Sequence, residues 1–156
     1  MTGHTWHLML NHLPVVGSVW ALLLALFVLA RPHPRTLRLA AGLILAVGLS
    51  AVPVFLTGER AEEEIAGLAG VSQSAAGDHE DMGKRALAAT GLAAAAGAGA
   101  LVVYRRKPDA GRVPLVLATA VLIVAVAVLY VTAETGGRIH RPELRGEAPW
   151  PSPSDR

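Results

Sequence analysis

Four stretches of the chain are apolar on every helical face, and each is close to the ~20 residues that cross a bilayer as an α-helix. They run over about 8–30, 39–57, 86–104 and 113–133. No Asp, Glu, Lys or Arg interrupts them. Polar residues collect instead in the connections and at the two ends. This alternation predicts an all-α fold, an antiparallel four-helix transmembrane bundle forming a single domain over 1–145. A long connection then spans 58–85, and a Pro-rich polar tail follows over 146–156. Residues 1–7 carry no Lys or Arg, so the first stretch is expected to be a retained helix rather than a cleaved signal peptide.

Composition agrees with this pattern. Of the 156 residues, 53% are hydrophobic and only 17% charged, against about 25% charged in a typical soluble domain. That is too little charge for a fully watered surface. Disorder is excluded as well, because it needs low hydrophobicity and high net charge. The absence of cysteine removes disulfides and thiolate metal ligands. No long basic run with interleaved aromatics occurs, so no nucleic-acid partner is expected.

The charges predict an orientation. Arg31, Arg35 and Arg38 flank the first short connection, and Arg105, Arg106, Lys107 and Arg112 the third. Short basic loops stay on the cytoplasmic side. Both termini and the 58–85 connection are then expected outside the inner membrane. All acids but Asp109 lie on that outer side, with five of the six histidines.

Folding the four stretches antiparallel gathers one set of helix ends at the outer face. The candidate site residues there are His7, His12, Glu59, Glu63, His79, Glu134 and His140. His4, His7, Asn11 and His12 fall within an arc of about 140° at 100° per residue. Glu59 and Glu63 are neighbours if the second helix continues past Thr57. Glu59 and Glu134 lie at helix C-terminal ends beside the bilayer, where dipole and desolvation both disfavour a lone carboxylate. His12 is a turn inside the boundary, next to Pro14. Simpler roles exist for several neighbours. Asp78 and Asp81 suit a helix start, and 59–69 reads equally as an amphipathic helix on the headgroups. Below His79, Gly83, Ala86, Thr90, Ala93, Ala94 and Gly97 form a furrow of small residues that suits either helix packing or a flat cofactor.

Imidazole and carboxylate without thiolate suit a transition metal such as iron, manganese, zinc or copper(II). Di-metal bundles use Glu-x-x-His on two helices; here only His79-Glu80 and the reversed His140-x-x-Glu143 come near it. The other cofactor the pattern admits is a b-type haem, with His12 and His79 as its ligands. Either would imply membrane redox chemistry with a membrane or envelope protein as electron partner. The contrasting expectation is a non-enzymatic membrane subunit whose polar cap packs against an envelope partner. Ion or proton passage is disfavoured because no ionisable residue lies mid-span.

The runs His7-Leu8-Met9-Leu10-Asn11-His12-Leu13-Pro14-Val15, Thr57-Gly58-Glu59-Arg60-Ala61-Glu62-Glu63, His79-Glu80 and Gly136-Gly137-Arg138-Ile139-His140-Arg141-Pro142-Glu143 resemble a family of uncharacterised bacterial four-helix integral membrane proteins. The likeness spans nearly the whole chain. It implies the four-helix topology and makes the outer polar residues the family's signature, without implying an activity. A looser likeness to membrane proteins proposed to bind b-type haem implies a redox cofactor. The residues before His79 are less acidic than the four-helix family's pattern, which points to Glu80 or Asp78 as substitute ligands.

Overall fold

A computed structural model describes residues 3–68 and 70–146, with side-chain surroundings from Trp6 onward. The side chain of His4 and the tail over 147–156 lie outside the described residues. Five helices follow in order: α1 Gly3–Leu10, α2 His12–Ala30, α3 Pro34–Ile65, α4 Gln73–Arg106 and α5 Val113–Arg138. A 3-10 turn, Pro142–Arg145, closes the described chain, and the described residues contain no strand.

Helices α1 and α2 make one apolar rod interrupted at Asn11. The interruption sits where Pro14 both lacks an N–H and presses its ring on the carbonyl of Leu10. With α3, α4 and α5 this gives four helices long and apolar enough to cross a membrane. They pack as an antiparallel ring in the order α2, α3, α4, α5, with α1 lying on α3. This is the architecture of a multi-pass membrane protein.

Side-chain size is distributed as lipid requires. Only 28–33% of the most apolar stretch of each span is fully buried inside the bundle, and the rest is half-buried or exposed. The outward set is large: Trp20, Phe27, Leu39, Leu92 and Leu117 are all exposed. The interior is mostly small, with Ala21, Ala25, Ala40, Ala41, Ala93, Ala118 and Ala125 buried around Ile44, Leu115 and Leu122. Lipid gives helices no hydrophobic reason to associate, so close backbone packing through small residues has to provide it. The α3–α4 seam is the tightest case. A Cβ on Gly48 would lie 2.5 Å from the Thr90 carbonyl oxygen, and one on Gly97 would lie 2.8 Å from that of Ala41. The small-residue furrow of α4 is therefore filled by α3 from Thr90 to Gly97, which makes that stretch a packing seam.

The helices continue beyond the apolar stretches. Residues 59–64 are Glu, Arg and Ala, all good helix formers, so α3 runs on until the turn at Gly67 and Gly70, both of positive φ. It does not lie flat on a surface: Ala61 is buried, and Ile65 packs with Val71, Ala75, Ala76 and Ile139 in a second small core. The cap of α4 is Ser72, whose hydroxyl accepts from the Ala75 N–H at 3.3 Å, so Asp78 and Asp81 fall inside the helix. Losing an N-cap hydroxyl typically costs about 0.5–2 kcal/mol. Ser72→Ala is accordingly expected to lower the melting temperature in detergent by several degrees, and Asp78→Ala by less.

Candidate functional site

One end of the bundle holds a partly open cavity of about 370 Å³ lined by residues of all five helices. Its inner wall is apolar, with Val15, Phe55, Leu87 and Leu129 among the lining side chains. Carboxylates and histidines of the candidate set stand at its polar margin. A volume of this size falls within the ~300–1,000 Å³ usual for cofactor pockets.

The two histidines that meet there are His7 and His79. Their ring centres are 6.3 Å apart and their planes are inclined by 78°. Each ring is fixed by a neighbouring helix. The Nδ1 of His7 lies 3.1 Å from the Val54 carbonyl oxygen on α3, and that of His79 lies 3.0 Å from the Thr132 carbonyl oxygen on α5. A carbonyl can only accept, so Nδ1 carries the hydrogen in both rings. In a neutral imidazole this leaves the lone pair on Nε2. Metal-binding histidines are commonly held in this way, because the outer hydrogen bond sets both tautomer and ring direction.

The supports beneath the rings are threonines and glycines. Thr57 Oγ1 donates to the Val54 carbonyl, and Thr135 Oγ1 donates to that of Thr132, each at 2.9 Å. His79 Nδ1 also lies 3.2 Å from Thr135 Oγ1. Thr132 Oγ1 in turn donates to the Met82 carbonyl at 3.3 Å, tying α5 to α4 one turn below His79. Gly58 and Gly136 let the imidazoles rest against bare backbone: an added Cβ would stand 3.1 Å from the His7 ring and 3.0 Å from the His79 ring.

The other candidates are placed differently. Glu59 and His140 are exposed but line the cavity, together with the half-buried Glu62 and Glu80. Glu80 is held 2.6 Å from Lys84. Glu63 is exposed and sits in a shallow acidic groove with Glu59, Glu62 and Gln73, beside the main cavity. Glu134 points away and pairs with Arg138 at 2.5 Å, one turn along its own helix. His12 is exposed, and its Nδ1 donates to the Leu8 carbonyl of the turn before it at 3.0 Å. The structure thus pairs His79 with His7, and puts His12 on the outer side of α2. Among the described residues, no three His, Cys, Asp or Glu are grouped closely enough to hold a metal ion by themselves.

Sequence reasoning picked out His7 and His79 but not their supports. Thr57, Gly58, Thr132, Thr135 and Gly136 had a legible signal: Thr57-Gly58-Glu59-Arg60 and Thr135-Gly136-Gly137-Arg138 are two copies of one Thr-Gly-x-Arg pattern. Across the mouth of the cavity the chain after α5 folds back. The Ile139 carbonyl accepts from the Ser72 N–H at 3.1 Å and from Arg145 Nη1 at 3.3 Å, and Pro142 is buried.

Fold and site together define a four-helix membrane protein with a supported histidine pair at one end of the bundle. No protein-family model, no curated protein and no solved structure matches the chain.

Proposed function

We propose that the protein binds a transition-metal centre, either an iron-type ion or haem iron, at the outward-facing end of the bundle, with His7 and His79 as ligands. The observation that carries this reading is the paired imidazoles, each with Nδ1–H bound to a carbonyl of a neighbouring helix. Ring centres 6.3 Å apart are within reach of one metal atom bonded at about 2 Å to a nitrogen of each. Bound iron supplies one-electron chemistry, so the role follows as membrane electron transfer with a membrane or envelope protein as partner. Glu59, Glu62 and Glu80 line the same cavity and would offset the positive charge of the centre.

The proposed setting is the inner membrane with both termini outside, on the strength of the basic 31–38 and 105–112 connections. Membership in the uncharacterised bacterial four-helix family belongs to the same proposal. Tags at either terminus are expected to be reachable from the periplasm of intact cells; protection of both would reverse the orientation.

A second reading is favoured by one observation. His12, Glu63 and Glu134 all face away from the cavity, as they would on a non-enzymatic subunit whose polar cap packs against an envelope partner. Optical spectra and metal analysis on one detergent-purified sample separate the two. A Soret band that moves on reduction, or stoichiometric non-haem metal, supports the cofactor reading. A colourless, metal-free preparation that takes up neither haemin nor iron leaves the subunit reading standing.

A further inference from the structure

The end of α3 and the end of α5 are built alike. Thr57-Gly58-Glu59-Arg60 stands in one and Thr135-Gly136-Gly137-Arg138 in the other. In each copy, the carbonyl four residues before the glycine faces a histidine Nδ1: Val54 faces His7, and Thr132 faces His79. In each, the threonine hydroxyl donates to that same carbonyl at 2.9 Å. In each, the glycine lies beneath the imidazole, with a Cβ position 3.1 or 3.0 Å from the ring. The histidine always comes from the helix rod that precedes and runs antiparallel to the clamp helix.

Three matched contacts at two places, on matching sequence, mark a duplicated unit. One copy is α1 to α3 and the other is α4 and α5. Both copies run in the same direction through the bundle, so they are related by an approximate two-fold axis parallel to it, as in parallel membrane repeats. His7 and His79 are the residues that the operation exchanges, and the cavity lies between them.

From this duplication we infer that His7 and His79 are equivalent axial ligands of a single haem iron, each aimed by its own Thr-Gly-x-Arg clamp. The inference rests on the cofactor reading above and deepens it by choosing the ligand. Two equivalent imidazoles complete an octahedral iron only when the other four donors come with the ligand, which is what a porphyrin supplies. A bare ion needs further protein donors, and no third His or acid is grouped with these two among the described residues. The apolar inner wall, from Val15 and Phe55 to Leu87 and Leu129, suits a macrocycle better than a hydrated ion.

The test uses the full chain in detergent, loaded with haemin if it is purified without haem. Wild type is expected to give a six-coordinate, low-spin ferric spectrum. His7→Ala and His79→Ala are each expected to give the same five-coordinate, high-spin spectrum, with added imidazole restoring the low-spin form in both. The double variant is expected to bind haemin at least tenfold more weakly than either single variant. Gly58→Ala and Gly136→Ala, which push on the rings without removing them, are expected to keep the haem and move its midpoint potential in the same direction. Size-exclusion profile and helical circular dichroism serve as the folding control. If His7→Ala stays low-spin while His79→Ala does not, the equivalence is overturned. Stoichiometric binding of a non-haem ion without a Soret band overturns the haem assignment and leaves the broader cofactor reading intact. Uptake of neither haemin nor metal by wild type defeats that broader reading itself.

Discussion

Adding one methyl group at Gly48 is expected to destabilise the bundle more than any other single-methyl change. The Cβ of Gly48→Ala would stand 2.5 Å from the Thr90 carbonyl oxygen, 2.8 Å from the Ala94 Cβ and 2.9 Å from the Ala94 backbone nitrogen. Backbone cannot swing aside as a side-chain tip can, so α3 and α4 must separate along the seam. Overpacking of this kind costs about 1–3 kcal/mol, and a contact against main chain belongs at the upper end. For a domain of this size each kcal/mol corresponds to a melting shift of about 2–4 °C. Gly97→Ala, 2.8 Å from the Ala41 carbonyl oxygen and 2.9 Å from the Leu45 nitrogen, is expected to behave in the same way. Gly91 and Gly99 lie on the same helix with open space at their Cβ positions. Alanine there removes a helix-weakening glycine and is expected to be neutral or stabilising by up to about 1 kcal/mol. Thermal unfolding of all four variants in one detergent checks the claim. Equal melting temperatures would mean that the seam is not close-packed.

The second large effect separates five of the seven candidate site residues. Removing the imidazole of His79 is expected to weaken haem or metal binding by roughly tenfold or more, since loss of an outer hydrogen-bond partner alone typically costs about 10–100-fold. Content as purified then falls, while excess haemin still fills the site. His7→Ala is expected to match it. His12→Ala and Glu134→Ala are expected to leave cofactor content within twofold of wild type, because His12 is bonded to its own helix and Glu134 to Arg138. Glu59→Gln should fall between, since the group lines the cavity at its edge. Cofactor content per protein, measured across the five variants at matched helicity, gives the ranking. A preparation in which His12→Ala loses the cofactor and His7→Ala keeps it would reassign the pair.

A large part of the architecture is legible along the chain because lipid imposes a coarse rule. A spanning helix must be apolar for about 20 residues, whatever it packs against. Residues 8–30, 39–57, 86–104 and 113–133 therefore announce their helices, and short connections make neighbours antiparallel. The helix ends are less legible. Polar residues such as Glu62 and Gln73 do not signal a stop by themselves, and α3 and α4 run on into them until Gly67 and the Ser72 cap set the limits. The acidic start expected at Asp78 is displaced by Ser72 for the same reason.

The site divides along a similar line. Sequence alone determines that four apolar helices bring His7, His79, Glu59 and His140 to one end of the bundle, because parity of crossings fixes which ends share a side. Which of those residues meet is decided only by the rotation and register of each helix about its axis. Gly48 and Gly97 set that register for α3 against α4, by allowing an approach no other residue would permit. His7 and His79 are then turned inward over Gly58 and Gly136, while His12, only five residues beyond His7, is carried to the outer face. Hydropathy is a property of single residues and survives in one dimension. The pairing of two imidazoles depends on angles between helices, and those exist only once small residues have let the backbones close.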